Sequence, residues 1–311
     1  VGNVIEARGL TKDFGAIRAV DGIDLTVGEG EMFGLVGPDG AGKTTTIRML
    51  CGILAPTNGG AMILGKNIVT EPDLVKKDIG YLSQKFSLYG DLSVDENIEF
   101  FAEINNVFDY KKRREELLEF TRLVPFRGRL AERLSGGMKQ KLALACTLVH
   151  TPRLIFLDEP TTGVDPVSRR DFWRILQSLL RERITVVMST PYLDEAERCT
   201  RVALMNEGRI MRIDAPVNLK KEMRGEVLEI VCDRVRDGFR LLKTRPEAWE
   251  VQAFGDRLHV IVARADRDAD RVRETLTGAG IRIESIRVIA PSLENVFISL
   301  LTHKEQRKDV A

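Results

Sequence analysis

Three stretches of this 311-residue chain hold residues that could do chemistry on phosphates. The first is Gly37-Pro38-Asp39-Gly40-Ala41-Gly42-Lys43-Thr44, which fits G-x-x-x-x-G-K-[ST]. Its glycines let backbone N–H groups turn inward on an anion, and a helix following it adds the partial positive charge of its N-terminus. Lys43 has the reach for β- and γ-phosphates, and the Thr44 hydroxyl can hold Mg²⁺. Asp39 is an oddity there, a carboxylate near where phosphates would sit; the sequence leaves open whether it faces solvent. The second stretch is "LIFLDEP", Leu154 to Pro160. Asp158 can hold Mg²⁺ through water, and Glu159 is placed to polarise an attacking water. An Asp-Glu pair after a strand is, alone, more often a solvated edge. Downstream of a loop of the first kind it gains a function. The third is Ser135-Gly136-Gly137, opening "SGGMKQKLALACTLV". Such a start offers backbone N–H groups and a hydroxyl to an anion. Taken alone, a plain helix cap with two flexible glycines explains it better.

These groups need elements that position them. "EMFGLV" reads as an apolar strand ahead of the glycine loop, and "KTTTIRMLCGIL" as the helix behind it. "LIFLDEP" is a continuous apolar run, as expected of a strand covered on both faces of a parallel sheet. "ITVVMST" and "RVALMNEGRIM" supply further strands, with "VSRRDFWRILQSLLRE" a helix, so an α/β core is expected. Val4 to Ala7 and Ile23 to Val27 read as antiparallel strands with turns at Gly15 and Gly22. The segment from about Asp91 to Val149 reads as mostly helical, with Phe100, Phe101, Ile104, Leu117 and Leu118 at helical spacing. In its last helix, Met138, Leu142, Ala145, Cys146 and Val149 are expected to line one face.

The pattern changes near Met223. From there the order is strand (Val227 to Cys232), helix (Val235 to Lys243), strand (Trp249 to Phe254), strand (Leu258 to Ala263), helix (Ala269 to Ala279) and strand (Arg282 to Val288). This βαββαβ order predicts a small α+β ferredoxin-like unit, followed by a helix from Leu293 to Leu301. The expected domains are therefore 1–222, with a helical subdomain at about 91–149, and 223–311.

Bulk properties narrow the field. Lys plus Arg total 47 against 46 Asp plus Glu, a net charge of +1 that makes no case for a nucleic-acid partner. The runs Lys111 to Arg114 and Lys304 to Lys308 sit beside acidic residues and read as solvated helix faces. Cys51, Cys146, Cys199 and Cys232 lack metal-ligand spacing and are expected as buried free thiols. No apolar run reaches the roughly 18–20 residues that span a bilayer, and "VGNVIEARGL" lacks a signal-peptide pattern. Any membrane crossing would fall to other chains.

Taken together, the motifs over residues 4 to about 222 resemble the nucleotide-binding subunit of an ATP-binding-cassette (ABC) transporter. The resemblance implies a P-loop NTPase domain of ABC type with antiparallel β and helical subdomains. It implies ATP and Mg²⁺ as ligands. Residues 37–45, with Gly37, Gly40, Ala41, Gly42, Lys43, Thr44 and Thr45, look like the Walker A loop. Phe14 in "KDFG" looks like the aromatic that stacks on adenine. Gln84 matches the Q-loop glutamine, which couples Mg²⁺ and the γ-phosphate to the membrane partner; Thr44, Gln84 and Asp158 would then meet the ion. "LSGGM" matches the signature sequence, with Met138 in place of the usual Gln. "FLDEP" matches Walker B, with Glu159 and Gln84 in the catalytic roles, and Gly163-Val164-Asp165-Pro166 matches the D-loop. In this family two domains pair head to tail, so Ser135, Gly136, Gly137 and Asp165 would close on the partner's nucleotide. "LSGGM", "YLDEAE" and "SLENVFISLL" look like the exporter branch with ABC-2-type permeases, the daunorubicin-resistance-like ATPases. The wording is closest to the first half of a Gram-negative tandem-ATPase efflux component. A peripheral place on the cytoplasmic face of the inner membrane is implied, with a permease docking near residues 86–110; Phe86 and Tyr89 either line that surface or pack in a small core.

One position departs from the family. At the strand tip "STPYLDEAE" the family has a histidine, and here stands Pro191. Proline offers no side-chain donor or acceptor. The histidines, His150, His259 and His303, are distant in sequence. An asymmetric heterodimer, with a weak site here and an intact signature lent to a partner, is favoured over a slow homodimer. The alternative class is a regulatory ATP-binding half that hydrolyses little.

Overall fold

The computed structural model describes residues 2–85, 88–245 and 250–308. Phe86, Trp249 and the side chains of His303 and Lys304 to Lys308, named above, lie outside the described set. The chain divides into two compact units, Val1–Ile213 and Asp214–Ala311. The division falls earlier than the expected boundary near residue 222. The helix Pro216–Glu222 buries Pro216 and Leu219 and packs with the C-terminal helix, so it belongs to the second unit.

The first unit opens with β1 (Asn3–Phe14) and β2 (Ile17–Gly28), an antiparallel hairpin longer than the two short strands expected. Gly22 does not end a strand. It sits inside β2 at φ 63°, where Leu10 pairs with Ile23 and Lys12 with Val20, so the extra residues form a bulge. Then follow β3 (Met32–Val36), α1 (Lys43–Leu50), β4 (Asn58–Ile63), β5 (Lys66–Asn67), α2 (Pro72–Asp78) and β6 (Ile79–Leu82). The helical part holds α3 (Val94–Ile104), α4 (Tyr110–Thr121) and α5 (Gly136–Leu148). The unit closes with β7 (Leu154–Asp158), α6 (Pro166–Arg181), β8 (Thr185–Thr190), α7 (Leu193–Ala196), β9 (Arg201–Asn206) and β10 (Arg209–Asp214).

Two sheets result, ordered β2-β1-β4-β5 and β10-β9-β3-β8-β7-β6. β3, β7 and β8 are buried at every residue, which explains their unbroken apolar runs. α5 differs from the one-faced helix expected: residues 142–149 are all buried. Over those residues it is packed by β6 and by α3, α4 and α6, whereas Gly136 and Lys139 in its first turns are exposed. In α4, Lys111 and Lys112 are exposed, whereas Arg114 lies 3.9 Å from Asp95 and 3.6 Å from Glu115. Ser93 and Glu96 form a reciprocal cap that starts α3.

The second unit comprises α8 (Pro216–Glu222), β11 (Glu226–Cys232), α9 (Val235–Leu242), β12 (Glu250–Phe254), β13 (Arg257–Val262), α10 (Ala265–Gly278), β14 (Ile283–Ile289) and α11 (Leu293–Lys308). Its sheet, ordered β12-β13-β11-β14, pairs antiparallel throughout. Leu228, Ile230, Leu258 and Val260 join Val272 and Leu276 of α10 in one apolar core. Alternation along the strands sends Glu229 and His259 to the opposite face.

Candidate active site

Parallel pairing in the six-stranded sheet aligns strand ends. Val36 stands opposite Thr190 and Leu204, and Asp158 opposite Ser189. Ligands of open α/β sheets bind outside this carboxyl edge. The glycine loop leaves β3 here and enters α1. Gly42 caps that helix at φ 95°, and a Cβ on it would lie 2.5 Å from the carbonyl oxygen of Ala19 in β2. A Cβ on Gly37 would lie 2.2 Å from the Met205 carbonyl oxygen. No side chain caps α1, so its first N–H groups remain available to an anion. Ala41 is buried and Thr45 half-buried, whereas Pro38, Asp39 and Gly40 are exposed. Asp39 therefore faces solvent, the point the sequence left open.

Five predicted side chains meet at this edge. Lys43 is only 4% exposed. Its Nζ donates to the carbonyls of Gly37 (2.7 Å) and Pro38 (3.0 Å) and stands 3.6 Å from Glu159 Oε1. The Thr44 hydroxyl donates to Asp158 Oδ1 at 3.0 Å, and the Ser189 hydroxyl donates to the same oxygen at 2.6 Å. Gln84 Nε2 donates to Glu159 Oε2 at 3.0 Å. Glu159 has φ 48°, and its N–H donates to Ser189 Oγ at 3.0 Å. The left-handed conformation costs a residue with a Cβ about 1–2 kcal/mol.

Asp158 is fully buried, yet among the described residues its Oδ2 accepts no hydrogen bond. An unsatisfied buried acceptor costs about 1–3 kcal/mol. A hydrated divalent cation beside the Thr44 hydroxyl would satisfy it, so the residues present fit Mg²⁺.

Ser135, Gly136, Gly137 and Asp165 form a second group. Ser135 caps α5, accepting from the Met138 N–H at 3.4 Å. Asp165 caps α6, accepting from the N–H groups of Val167 (3.1 Å) and Ser168 (3.0 Å), and its bonds with Ser168 hold its carboxyl below the usual range. Gly137 lies against Ser168, whose Cβ and Oγ would be 2.3 Å from a Cβ there. Among the described residues, no hydrogen bond or ion pair joins these four to Lys43, Thr44, Gln84, Asp158 or Glu159. Phe14 is a third element, half-exposed at the β1–β2 turn, with Lys12 Nζ 5.3 Å from its ring centre.

At the Pro191 tip, the Tyr192 N–H donates to Thr190 Oγ1 at 3.1 Å and Arg169 stacks on the Tyr192 ring at 5.0 Å. His150, the histidine of the first unit, faces the Ile79 carbonyl at 3.0 Å, at the amino end of β6 and thus the opposite edge of the sheet. Burial lowers its pKa. Sequence reasoning passed over Ser189, Thr161, Thr190 and Glu195. Ser189 and Thr190 read as the end of a strand. Nothing local separates Glu195 from Asp194 and Glu197, since what buries it comes from distant segments.

All four cysteines are buried and free, and burial pushes the Cys199 thiol up to about 12. No helix among the described residues is long and apolar enough to cross a membrane.

Residues 20–162 match the sequence profile described as ABC transporter. The chain is 40% identical to the "Probable multidrug ABC transporter ATP-binding protein YbhF" of Escherichia coli strain K12, over 96% of this chain and 52% of that protein. It thus spans about half the length of that relative. It is 34% identical to the "Daunorubicin resistance ATP-binding protein DrrA2" of Streptomyces coeruleorubidus, over 99% of this chain and 98% of that one. Among solved structures, a dimeric ATP-binding cassette in a post-hydrolysis state with ADP and Pi superposes at TM-score 0.61 with 27% identity, over 68% of this chain and 98% of that one. With this edge geometry and near full-length identity above 30%, the chain belongs to the family of ABC transporter ATP-binding proteins.

Proposed function

We propose that this chain binds MgATP, pairs with a second ABC ATPase domain and powers export through an ABC-2-type permease. The observation that carries the proposal is the meeting of Lys43, Thr44, Gln84, Asp158 and Glu159 at one strand edge, with a buried Asp158 oxygen left without a donor. Lys43 and the α1 N-terminus hold the phosphates. Thr44, Asp158 and Gln84 hold Mg²⁺, whose charge neutralises phosphate oxygens. Glu159 orients and polarises the attacking water, and Gln84 reports on that carboxylate. Phosphoryl transfer to water then proceeds by positioning and electrostatic stabilisation. Phe14 stacks on the base.

The separation of Ser135, Gly136, Gly137 and Asp165 from that cluster suits a role at the partner's nucleotide. Exposed Ile104 and Phe108, at 58% and 83%, and Tyr89, 45% exposed and packed against Phe100, support docking of the permease on the helical part. A chain docked in this way sits peripherally on the cytoplasmic face of the inner membrane. The second unit serves as a dimer-stabilising or regulatory module. Pro191 leaves the switch position without a donor, which favours an asymmetric pair in which this site is the weak one. Loss of one transition-state contact costs about 10²–10³ in rate.

The test is ATP turnover by the chain, alone and with its ATPase partner, for wild type, Pro191→His and Glu159→Gln. A slow chain that Pro191→His accelerates and the partner restores supports the asymmetric pair. Brisk turnover that needs Glu159 and ignores Pro191→His supports a homodimer.

A further inference from the structure

Behind the Pro191 tip, Glu195 of α7 is 1% exposed, an uncommon place for a carboxylate. Its Oε1 accepts from the Thr161 hydroxyl at 2.6 Å, and its Oε2 from the Thr190 hydroxyl at 2.9 Å. Arg169 Nε of α6 stands 3.4 Å from Oε1. Thr161 and Thr190 are as deeply buried as Glu195. One carboxylate thereby ties three segments: the turn after Glu159, the end of β8 and the first turns of α6. A buried charge persists where it is paired and hydrogen-bonded, and here both oxygens are used.

Each segment bears on the site. Thr161 lies two residues after Glu159, in a turn closed by the Thr162 N–H on the Glu159 carbonyl (3.2 Å) and the Val164 N–H on the Thr161 carbonyl (3.2 Å). The Thr162 hydroxyl also reaches Glu159 Oε2 at 3.3 Å. Glu159 keeps a positive φ, a conformation that persists only where the surroundings impose it. The Ser189 bond imposes it from one side, and the Thr161 anchor from the other. The Thr190 carbonyl accepts from the N–H of Gly37 at 3.4 Å, so the same carboxylate steadies the entrance of the glycine loop.

We propose that Glu195 is a positioning residue for hydrolysis: through Thr161 and Thr190 it holds the backbone that aims Glu159. The proposal rests on Glu159 as the group that polarises water. Pro191 contributes no side-chain hydrogen bond at the adjoining tip, so the geometry there is imposed from behind the sheet edge.

The experiment is single-turnover ATP hydrolysis, equilibrium ATP affinity and thermal melting of the full chain. The variants are Thr161→Ser, Thr161→Val, Glu195→Gln, the Thr161→Val/Glu195→Gln pair, and Glu159→Gln as the floor. Thr161→Ser, which keeps the donor, is expected to hold the rate within about twofold, whereas Thr161→Val and Glu195→Gln lower it about tenfold or more, with ATP affinity changed less than about threefold. The double variant loses less than the product of the two single losses, because both changes act on the Thr161–Glu195 contact. A Glu159→Gln loss with unchanged Thr161→Val and Glu195→Gln rates overturns the positioning role alone. So does a rate that falls only in step with affinity and melting temperature. Undiminished turnover in Glu159→Gln overturns the reading of Glu159 as well.

Discussion

Buried polar side chains gather in both units, but in different places. In the first they crowd the ends of strands, on backbone that includes a positive φ at Glu159 and a buried Asp158 oxygen without a donor. In the second they lie across the middle of a sheet face. Fully buried Asn295 faces Gln252 Oε1 (2.7 Å) and His259 Nδ1 (2.9 Å), and its Oδ1 accepts from the Ser292 N–H and hydroxyl. Glu229 sits between Arg287 and Arg257. Burial pushes its pKa up, and those two guanidiniums more than offset it. No described residue of the second unit other than glycine has positive φ. A network on relaxed backbone, satisfied from within except at His259 Nε2, fixes a shape. Spare valence on strained backbone marks a place for a ligand.

The sharpest way to break this contrast is Glu159→Gln, which keeps shape and removes the charge. Turnover is expected to fall about 10²–10⁴-fold with ATP affinity retained, checked by single-turnover hydrolysis and nucleotide titration. Asn295→Ala should do the reverse. It leaves Gln252 and Ser292 short of partners and should cost about 2–4 kcal/mol in denaturant unfolding, with hydrolysis by the folded protein within about twofold of wild type. A comparable loss of turnover would mean that the second network also serves the reaction.

Smaller effects sharpen the comparison further. Gly137→Ala puts a methyl 2.3 Å from Ser168 and should lower stability by about 1–3 kcal/mol; Ser168→Gly in the same chain should recover much of it in thermal melts. The smallest effect concerns pH. Burial, partly opposed by Glu229, holds the His259 pKa below its ordinary value. The folded state therefore prefers neutral imidazole, so this contribution is present above about pH 6.5 and is lost as pH falls below it. His259→Gln should flatten the acid side of the melting-temperature profile. His150 shifts in the same direction and remains in that variant.

Legibility in the sequence followed locality. The glycine loop, Asp158 and Glu159 could be read because each is a contiguous motif whose flanking strand and helix are periodic. The βαββαβ order was readable for the same reason. Gly22 misled because a bulge and a turn call for the same left-handed glycine. The boundary misled because α8 carries the apolar spacing of any surface helix, and only its contact with α11 assigns it. Glu195 stayed hidden among three acidic residues because its partners Thr161 and Arg169 are brought to it from distant parts of the chain. Pro191 stood out only against the family resemblance; its chemistry alone reads as a strand terminator.

The two-residue link Glu207–Gly208 between β9 and β10 has a consequence for synthesis. Gly208 accepts from the Asp21 N–H (2.9 Å) and donates to the Ala41 carbonyl (3.2 Å), while the Met205 carbonyl abuts Gly37. The floor of the phosphate loop is thus built from residues made some 160 positions after the loop itself. Such long-range closure comes late, because loop-closing entropy precedes its reward. A nascent chain halted before β9 would carry every residue of the 37–45 motif and still lack the walls that shape it. ATP capture during translation should therefore switch on only after Gly208 clears the ribosome, and nucleotide then becomes a late fastener of the fold rather than its seed.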